Sequence, residues 1–546
     1  MRAHYLVPVV LVMACSPHRD GSGGDDGSGQ ADAAAPGTLC QQAMQNPSNL
    51  GCEFWAVDLD NEATTISNAA KEQFAIVAAN NNDGPVTVTV TQNLARVGAP
   101  VNEAVVMTVS VPPRTAQRID LPQREVDGSM GQNGSYVMNS GTGTFVSPHA
   151  FHVVSSDPVV VYQFNPIIQD FSNDASTLIP LQAMGADYAI IGFPTANPCA
   201  PVPVDPSIPD HTSITVIPTQ DDTHVTIVPN HPIAAAGGDT GIAIPMTPKG
   251  QALNLTLSRY DVANLESYQP GDIGSCATND GDFTGSTVHA DKPVAVFTSA
   301  ERAIGFGGAD NVVYPPDWVA SGDNASSICC TDHLEEQLFP VTALGHEFAI
   351  ARSPIRSTNP AWKEPDIVRV LATVDNTVVT TNLPAPYDAI TLSRNQQKTF
   401  ASTTGFTMSA NNPVEVSTYL VPNDFVTQGW IGDPSQLLMP AAEQFRKDYV
   451  FLVPGSFTTN YIVVAMPTTA AVMVDGAPIG SLPGCYTGPI GDVMAVTYQQ
   501  VTCPATEGHH TVSGDQPIGL SVYGYYVHGS YAFVGGSDVK IINPIE

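Results

Sequence analysis

The sequence predicts an all-β protein of about four tandem, sandwich-like β repeats, with a closed, propeller-like ring of four β-sheets as the alternative arrangement. Three observations predict it. One pattern, an apolar residue, a small polar stretch, a proline and then a strand, occurs four times. A second marker, an acid beside an aromatic residue at the opening of a strand, recurs with it. Between them run short segments that alternate apolar and polar residues, and helical periodicity is scarce.

The proline pattern occupies Val153–Val161, Val288–Val296, Met408–Val416 and Val512–Leu520, around Pro158, Pro293, Pro413 and Pro517. Asp, Asn and Gly accept turn dihedrals and proline fixes φ, so the pattern predicts a tight turn into the next strand. The second marker places Asp187-Tyr188 after Pro180, Glu347-Phe348 after Pro340 and Asp448-Tyr449 after Pro440. In the first unit Glu72–Val77 reads as the same opening strand. The shortest unit divides into Phe348–Ala351, Ile367–Val374, Thr377–Thr381, Ala389–Ser393, Lys398–Ser402, Gly405–Ala410 and Val414–Leu420, spaced as in a sandwich. Val86–Thr91, Ser213–Ile217 and His224–Val228 alternate equally clearly. The units are read as 39–171, with the Cys40/Cys52 segment at its start, 172–337, 338–437 and 438–546.

Residues 1–14 have the layout of a secretory signal: Arg2, an apolar run from Tyr5 to Met13 and a small residue before Cys15. That run is too short to span a bilayer as a mature helix. Val12-Met13-Ala14-Cys15 resembles a lipobox, which makes Cys15 the expected lipidation site. Residues 15–38 form a Gly/Ser/Asp-rich tether that cannot bury a core. Ser16 after the cysteine points to an outer-membrane lipoprotein, facing the periplasm or the cell surface. The other eight cysteines imply disulfides in an exported chain. Cys40 with Cys52 and Cys485 with Cys503 are the expected pairs, and Cys199, Cys276, Cys329 and Cys330 remain without assignable connectivity.

Acids outnumber bases 52 to 20, for a formal net charge of −32, which excludes the basic footprint that nucleic-acid binding requires. The acids are spread along the chain as a self-repelling surface would have them. Divalent-cation binding is the sharper alternative, and Asp58, Asp60, Asp221 and Asp222 are its candidates. None completes an EF-hand or repeat-in-toxin loop, and no cofactor is implied. No nucleophile elbow, Walker loop or dinucleotide fingerprint occurs. His346-Glu347 lacks a zincin's second histidine, because Ile350 stands there. Asp332, His333, Glu335 and Glu336 could supply acid–base or metal groups, but hydrogen bonds that pin a loop are the expected role. Tyr523, Tyr525, Tyr526 and Tyr531 with His528 could contact a ligand, although core and edge packing explains the group better.

Gly285–Val296, Cys330–Pro340 and Val522–Gly536 resemble the N-terminal domain family of the IgG Fc-binding protein, which also occurs in bacterial exported proteins; Gly51–Asp58 looks like the opening of lipoprotein members. The doubled Cys329-Cys330 and the Asp/Gly-rich stretch before it depart from the family pattern. The resemblance by itself carries over no ligand; the tether, the repeats and the missing catalytic signatures lead to the expectation of a lipid-anchored envelope protein that displays these β domains for adhesion or macromolecular binding, with an extracellular protein or glycan as partner and no enzymatic activity. The competing expectations are an exported carbohydrate- or peptide-processing enzyme with a site assembled from loops, and a structural envelope component.

Overall fold

The computed structural model describes residues 38–544 apart from 64–67, 130–142, 169–171, 197–209, 237–241, 269–280, 307, 316–329 and 428–430. The signal, Cys15, the tether up to residue 37, Cys199, Cys276 and Cys329 lie outside the described residues.

Each of the four antiparallel sheets is organised around one long strand. The first unit contains β1 (Gly51–Ala56), β2 (Ala75–Asn80), β3 (Val86–Asn93), β4 (Glu103–Val111) and β5 (Thr115–Asp120). After β6 (Phe145–Ser147) come the long β7 (Phe151–Asn165) and β8 (Asp174–Thr177). The first half of β7 pairs with β3 and β1, the second with β2 and β8, so β7 passes from one layer of a sandwich to the other.

The second unit repeats this plan with β9 (Gly185–Ala189), β10 (Thr212–Pro218), β11 (Thr223–Val228), β12 (Leu253–Leu257), β13 (Val262–Glu266), the long β14 (Thr287–Ala303) and β15 (Asp332–Gln337). It also takes in β6, which pairs with β13. The third has β16 (Gly345–Ile350), β17 (Asp366–Ala372), β18 (Thr377–Thr381), β19 (Ala389–Leu392), β20 (Gln397–Ser402), the long β21 (Phe406–Leu420) and β22 (Gln436–Leu438). The fourth has β23 (Arg446–Val453), β24 (Thr459–Pro467), β25 (Val472–Val474), β26 (Ala477–Pro478), β27 (Tyr486–Val493), β28 (Val496–Ala505), the long β29 (Gly508–Tyr526) and β30 (Gly529–Val534). Alternating residues of β3 and β11 bury one face, whereas the ends of the long strands, such as Val159–Asn165, are covered on both.

The proline pattern is not a turn. Pro158, Pro293, Pro413 and Pro517 lie inside continuous strands, and the register against the opening strand slips there. Proline has no N–H for a ladder, so a bulge is where a sheet interior tolerates it. The residue two places earlier repairs the ladder with its side chain. Ser156 Oγ accepts from Thr87 N–H (3.1 Å), Asp291 Oδ1 from His224 (2.9 Å), Asn411 Oδ1 from Val378 (2.7 Å) and Asp515 Oδ1 from Ala471 (2.8 Å). These polar residues are therefore substitute acceptors rather than turn formers. Gly405–Ala410 and Val414–Leu420 accordingly merge into β21.

The opening strand of the first unit is β1, not Glu72–Val77. Glu53-Phe54 of β1 pairs with the long strand as Asp187-Tyr188, Glu347-Phe348 and Asp448-Tyr449 do, while β2 takes the central place of β10, β17 and β24. Gly51, Gly185 and Gly345 face the residue after each proline. A Cβ on them would come within 2.3 Å of Pro180, 2.5 Å of Pro340 and 2.1 Å of Ala441 respectively, so the glycine of each of the first three units seats the connection to the following one, while Arg446 holds the equivalent place in the fourth.

Hydrophobic clusters join neighbouring units. Trp55, Phe74 and Phe151 pack with Tyr260 and Phe297, and Phe348 and Val416 with Tyr523 and Val534. Tyr162 and Phe164 pack with Phe533, and the Tyr162 hydroxyl donates to the carbonyls of Val450 (3.1 Å) and Gly535 (2.8 Å). The short strands β8, β15, β22 and β30 meet in the middle, each touching the next, and β30 touching β8. Asn49 N–H, just before β1, donates to Ser537 O, just after β30 (2.9 Å).

Cys40 is bonded to Cys52 and Cys485 to Cys503, with Cα–Cα distances of 5.8 and 4.2 Å. Cys330 is also disulfide-bonded. Among the described residues no helix is long and apolar enough to cross a membrane.

Candidate functional site

The inner strands carry acids where a core would ordinarily be apolar. Asp332, His333, Glu335 and Glu336 lie on β15, a fully buried strand rather than a loop. Asp174 Oδ2 accepts from the N–H groups of Glu335 (3.1 Å) and Gln436 (3.2 Å), tying three units together. Asp332 accepts from Asn173 N–H (2.5 Å) and Ser530 N–H (3.2 Å). Glu336 accepts from Leu438 N–H (2.8 Å) and the Ser176 hydroxyl (2.9 Å), and Glu335 from Gln163 Nε2 (3.2 Å).

Burial pushes the carboxyls of Asp174, Asp332, Glu335 and Glu336 well above the usual range, and Asp433, which accepts from Asn423 N–H (3.0 Å), up to about 7. It pushes the His333 imidazole down to about 3. These carboxyls, bonded to neighbouring backbones, hold the units in register, and their burial keeps substrate away from them.

A second set of acids lies between the first and second units, where β6 crosses over. Asp58, Asp60 and Glu62 follow β1, and Glu125 and Asp127 follow β5. Facing them are Asp210 and His211 before β10, Glu266 at the end of β13, and Glu301 and Arg302 on β14. Ligand atoms of Asp60, Glu125 and Asp127 lie within 4.8 Å of one another, as do those of His211, Glu266 and Glu301. The Asp60 carboxyl neighbours those of both Glu125 and Glu266, so it connects the triads.

Neutral donors hold the carboxylates in place. Glu125 accepts from Asn61 N–H (3.1 Å) and Ser129 Oγ (2.9 Å), Glu266 from Asn264 Nδ2 (3.2 Å) and Gly143 N–H, and Glu301 from His211 N–H (3.1 Å). Arg302 bonds Asp210 (2.8 Å) and Glu62 (3.4 Å). Burial, then neighbouring carboxylates, raises Asp60, Glu125 and Glu301, with Glu266 reaching about 8. Burial also carries Asp58 up to about 8.

Of the cation-ligand candidates, Asp60 falls in this cluster. Asp58 is buried beside it, with Oδ2 taken by Arg124 N–H (2.8 Å). Asp221 and Asp222 sit in the exposed β10–β11 turn, where Lys292 bonds both of their carbonyls. Glu125, Asp127, His211, Glu266 and Glu301 carry no local motif and come together only through the fold. Tyr523, Tyr525 and Tyr531 are buried in inter-unit cores. His346 is held by Asn543 Oδ1 (3.1 Å) and Ala410 O (3.3 Å). The cluster Cys330, Asp433 and His528 has ligand-like spacing, but a disulfide-bonded sulfur is not a thiolate ligand.

The fold and these interiors define a four-unit, all-β protein in which two sets of buried acids lie where its units meet. Residues 174–524 match the family described as IgGFc binding protein, and the chain belongs to that family, a class of binding-type β proteins. The match starts at the first residue of β8, so the rest of the first unit, including Gly51–Asp58, lies outside it. A search of the curated proteins gives no match.

Proposed function

We propose that the chain is an exported, lipid-anchored envelope protein that binds extracellular macromolecules and catalyses no reaction. A signal peptide over residues 1–14 is removed, Cys15 carries the lipid, and residues 15–38 let the β units stand off an outer membrane. The observation that carries the binding role is membership of the IgGFc binding protein family over 174–524. Disulfides at Cys40–Cys52 and Cys485–Cys503 support an oxidising compartment. Burial of Asp332, His333, Glu335 and Glu336 supports a structural rather than catalytic use of the most reactive-looking residues.

Cys15→Ala tests the anchor: the variant is expected in the soluble fraction, and one that stays membrane-bound overturns the lipidation reading. The full chain is then used to capture partners from immunoglobulin, matrix proteins and glycans. Turnover of a polysaccharide or peptide, abolished by a single Asp or Glu substitution, would instead establish an enzyme.

A further inference from the structure

We propose that the junction of the first two units binds a divalent cation through Asp60, Glu125, Asp127, Glu266, Glu301 and His211. Two triads of ligand atoms, each within 4.8 Å, adjoin where Asp60 of the first neighbours Glu266 of the second. Among the described residues, Asp60 and Glu125 form no ion pair with Lys or Arg; Arg302 bonds Asp210 and Glu62 and also draws on Glu301 electrostatically, one cation against several buried acids. Buried carboxylates this close must share protons or a cation.

His211 supplies an independent observation. Its side chain is only 6 % exposed, and Nδ1 donates to Ser267 O at 2.7 Å. That fixes the tautomer with a lone pair on Nε2, and a ring nitrogen of His211 lies within 4.8 Å of carboxylate oxygens of Glu266 and Glu301. An imidazole clamped through one nitrogen by a backbone carbonyl, beside carboxylates, is the arrangement of a metal-ligating histidine. Glu301 is partly exposed and gives the ion a way in. The ligands come from both sides of the junction, so the ion would clamp the first unit to the second.

The full chain, purified and stripped with chelator, is titrated separately with Ca²⁺, Mn²⁺ and Zn²⁺ while thermal unfolding and bound metal are measured. The expected result is a higher Tm with one of the three, and metal retained after desalting. Asp60→Asn and Glu301→Gln should remove the metal-dependent rise in Tm, Asp221→Asn should keep it, and His211→Ala should weaken binding about tenfold or more. The metal response of the unsubstituted chain stands as a test even if a variant fails to fold. No response to any of the three ions up to about 1 mM, the weak end for extracellular modules, overturns the proposal. So does a response that survives both carboxylate substitutions or is unchanged in His211→Ala.

Discussion

Asn411 stands two places before Pro413 and gives the Val378 N–H the acceptor that the bulged backbone has withdrawn. Asn411→Ala should cost about 1 kcal/mol, since the donor turns to water at this exposed site. Asn411→Asp should cost much less, because it keeps the acceptor, and urea unfolding of the two variants measures the difference. The proline and its polar neighbour were plain in the sequence at all four repeats. Their purpose was not, because the donor each serves belongs to another strand, 33 residues away for Asn411 and 69 for Ser156. Local propensity describes a residue's own backbone, and here the side chain serves another strand's.

Strands whose sides alternate could be read directly, as Thr377–Thr381 and Val86–Thr91 show, because one-sided burial imposes a period of two. The opening strand of the first unit could not. Phe74 offers an aromatic near an acid just as Phe54 does, and only pairing to the first half of β7 distinguishes them. The glycines at the start of β1, β9 and β16 carry a requirement that pattern also conceals, since the obstacle lies in the next unit. Gly345→Val should lower stability by ~1–3 kcal/mol through overpacking against Ala441. Gly84→Ala, whose Cβ would meet nothing within 4 Å, is the matched control, and the shift in denaturation midpoint separates them.

At the scale of the molecule, the formal charge of −32 misdescribes the surface, because a share of the acids is buried where desolvation disfavours their ionisation. Composition counts acids without locating them: Asp332, Glu335 and Glu336 stood out as a local cluster and Asp58 and Asp60 as a pair, but their partners Asp174, Asp433, Glu125, Asp127, Glu266 and Glu301 come from distant segments and carry no local signal. The pH dependence follows from the middle of the fold. Burial raises the carboxyls of Asp174, Asp332, Glu335, Glu336 and Asp433, so the folded state binds their protons more tightly than the unfolded chain, which releases them above about pH 4. Their stabilisation is complete below that pH and is lost as pH rises through the folded values, near 7 for Asp433 beside Arg356. His333 acts oppositely: its contribution is complete above about 6.5 and is lost as pH falls through about 3. Five carboxyls outweigh one imidazole, so the urea midpoint at pH 5 should exceed that at pH 8. A midpoint that rises over this range would show the inner carboxyls to be ionised.

The hydrogen bond from Asn49 to Ser537 places the two ends of the β fold side by side. Their order along the gene is then a matter of where the chain was cut: joined there and reopened at an exposed turn such as Asp475-Gly476, a circular permutant would keep every strand pairing and inter-unit contact while presenting its terminus, and any anchor fused to it, from the fourth unit instead of the first.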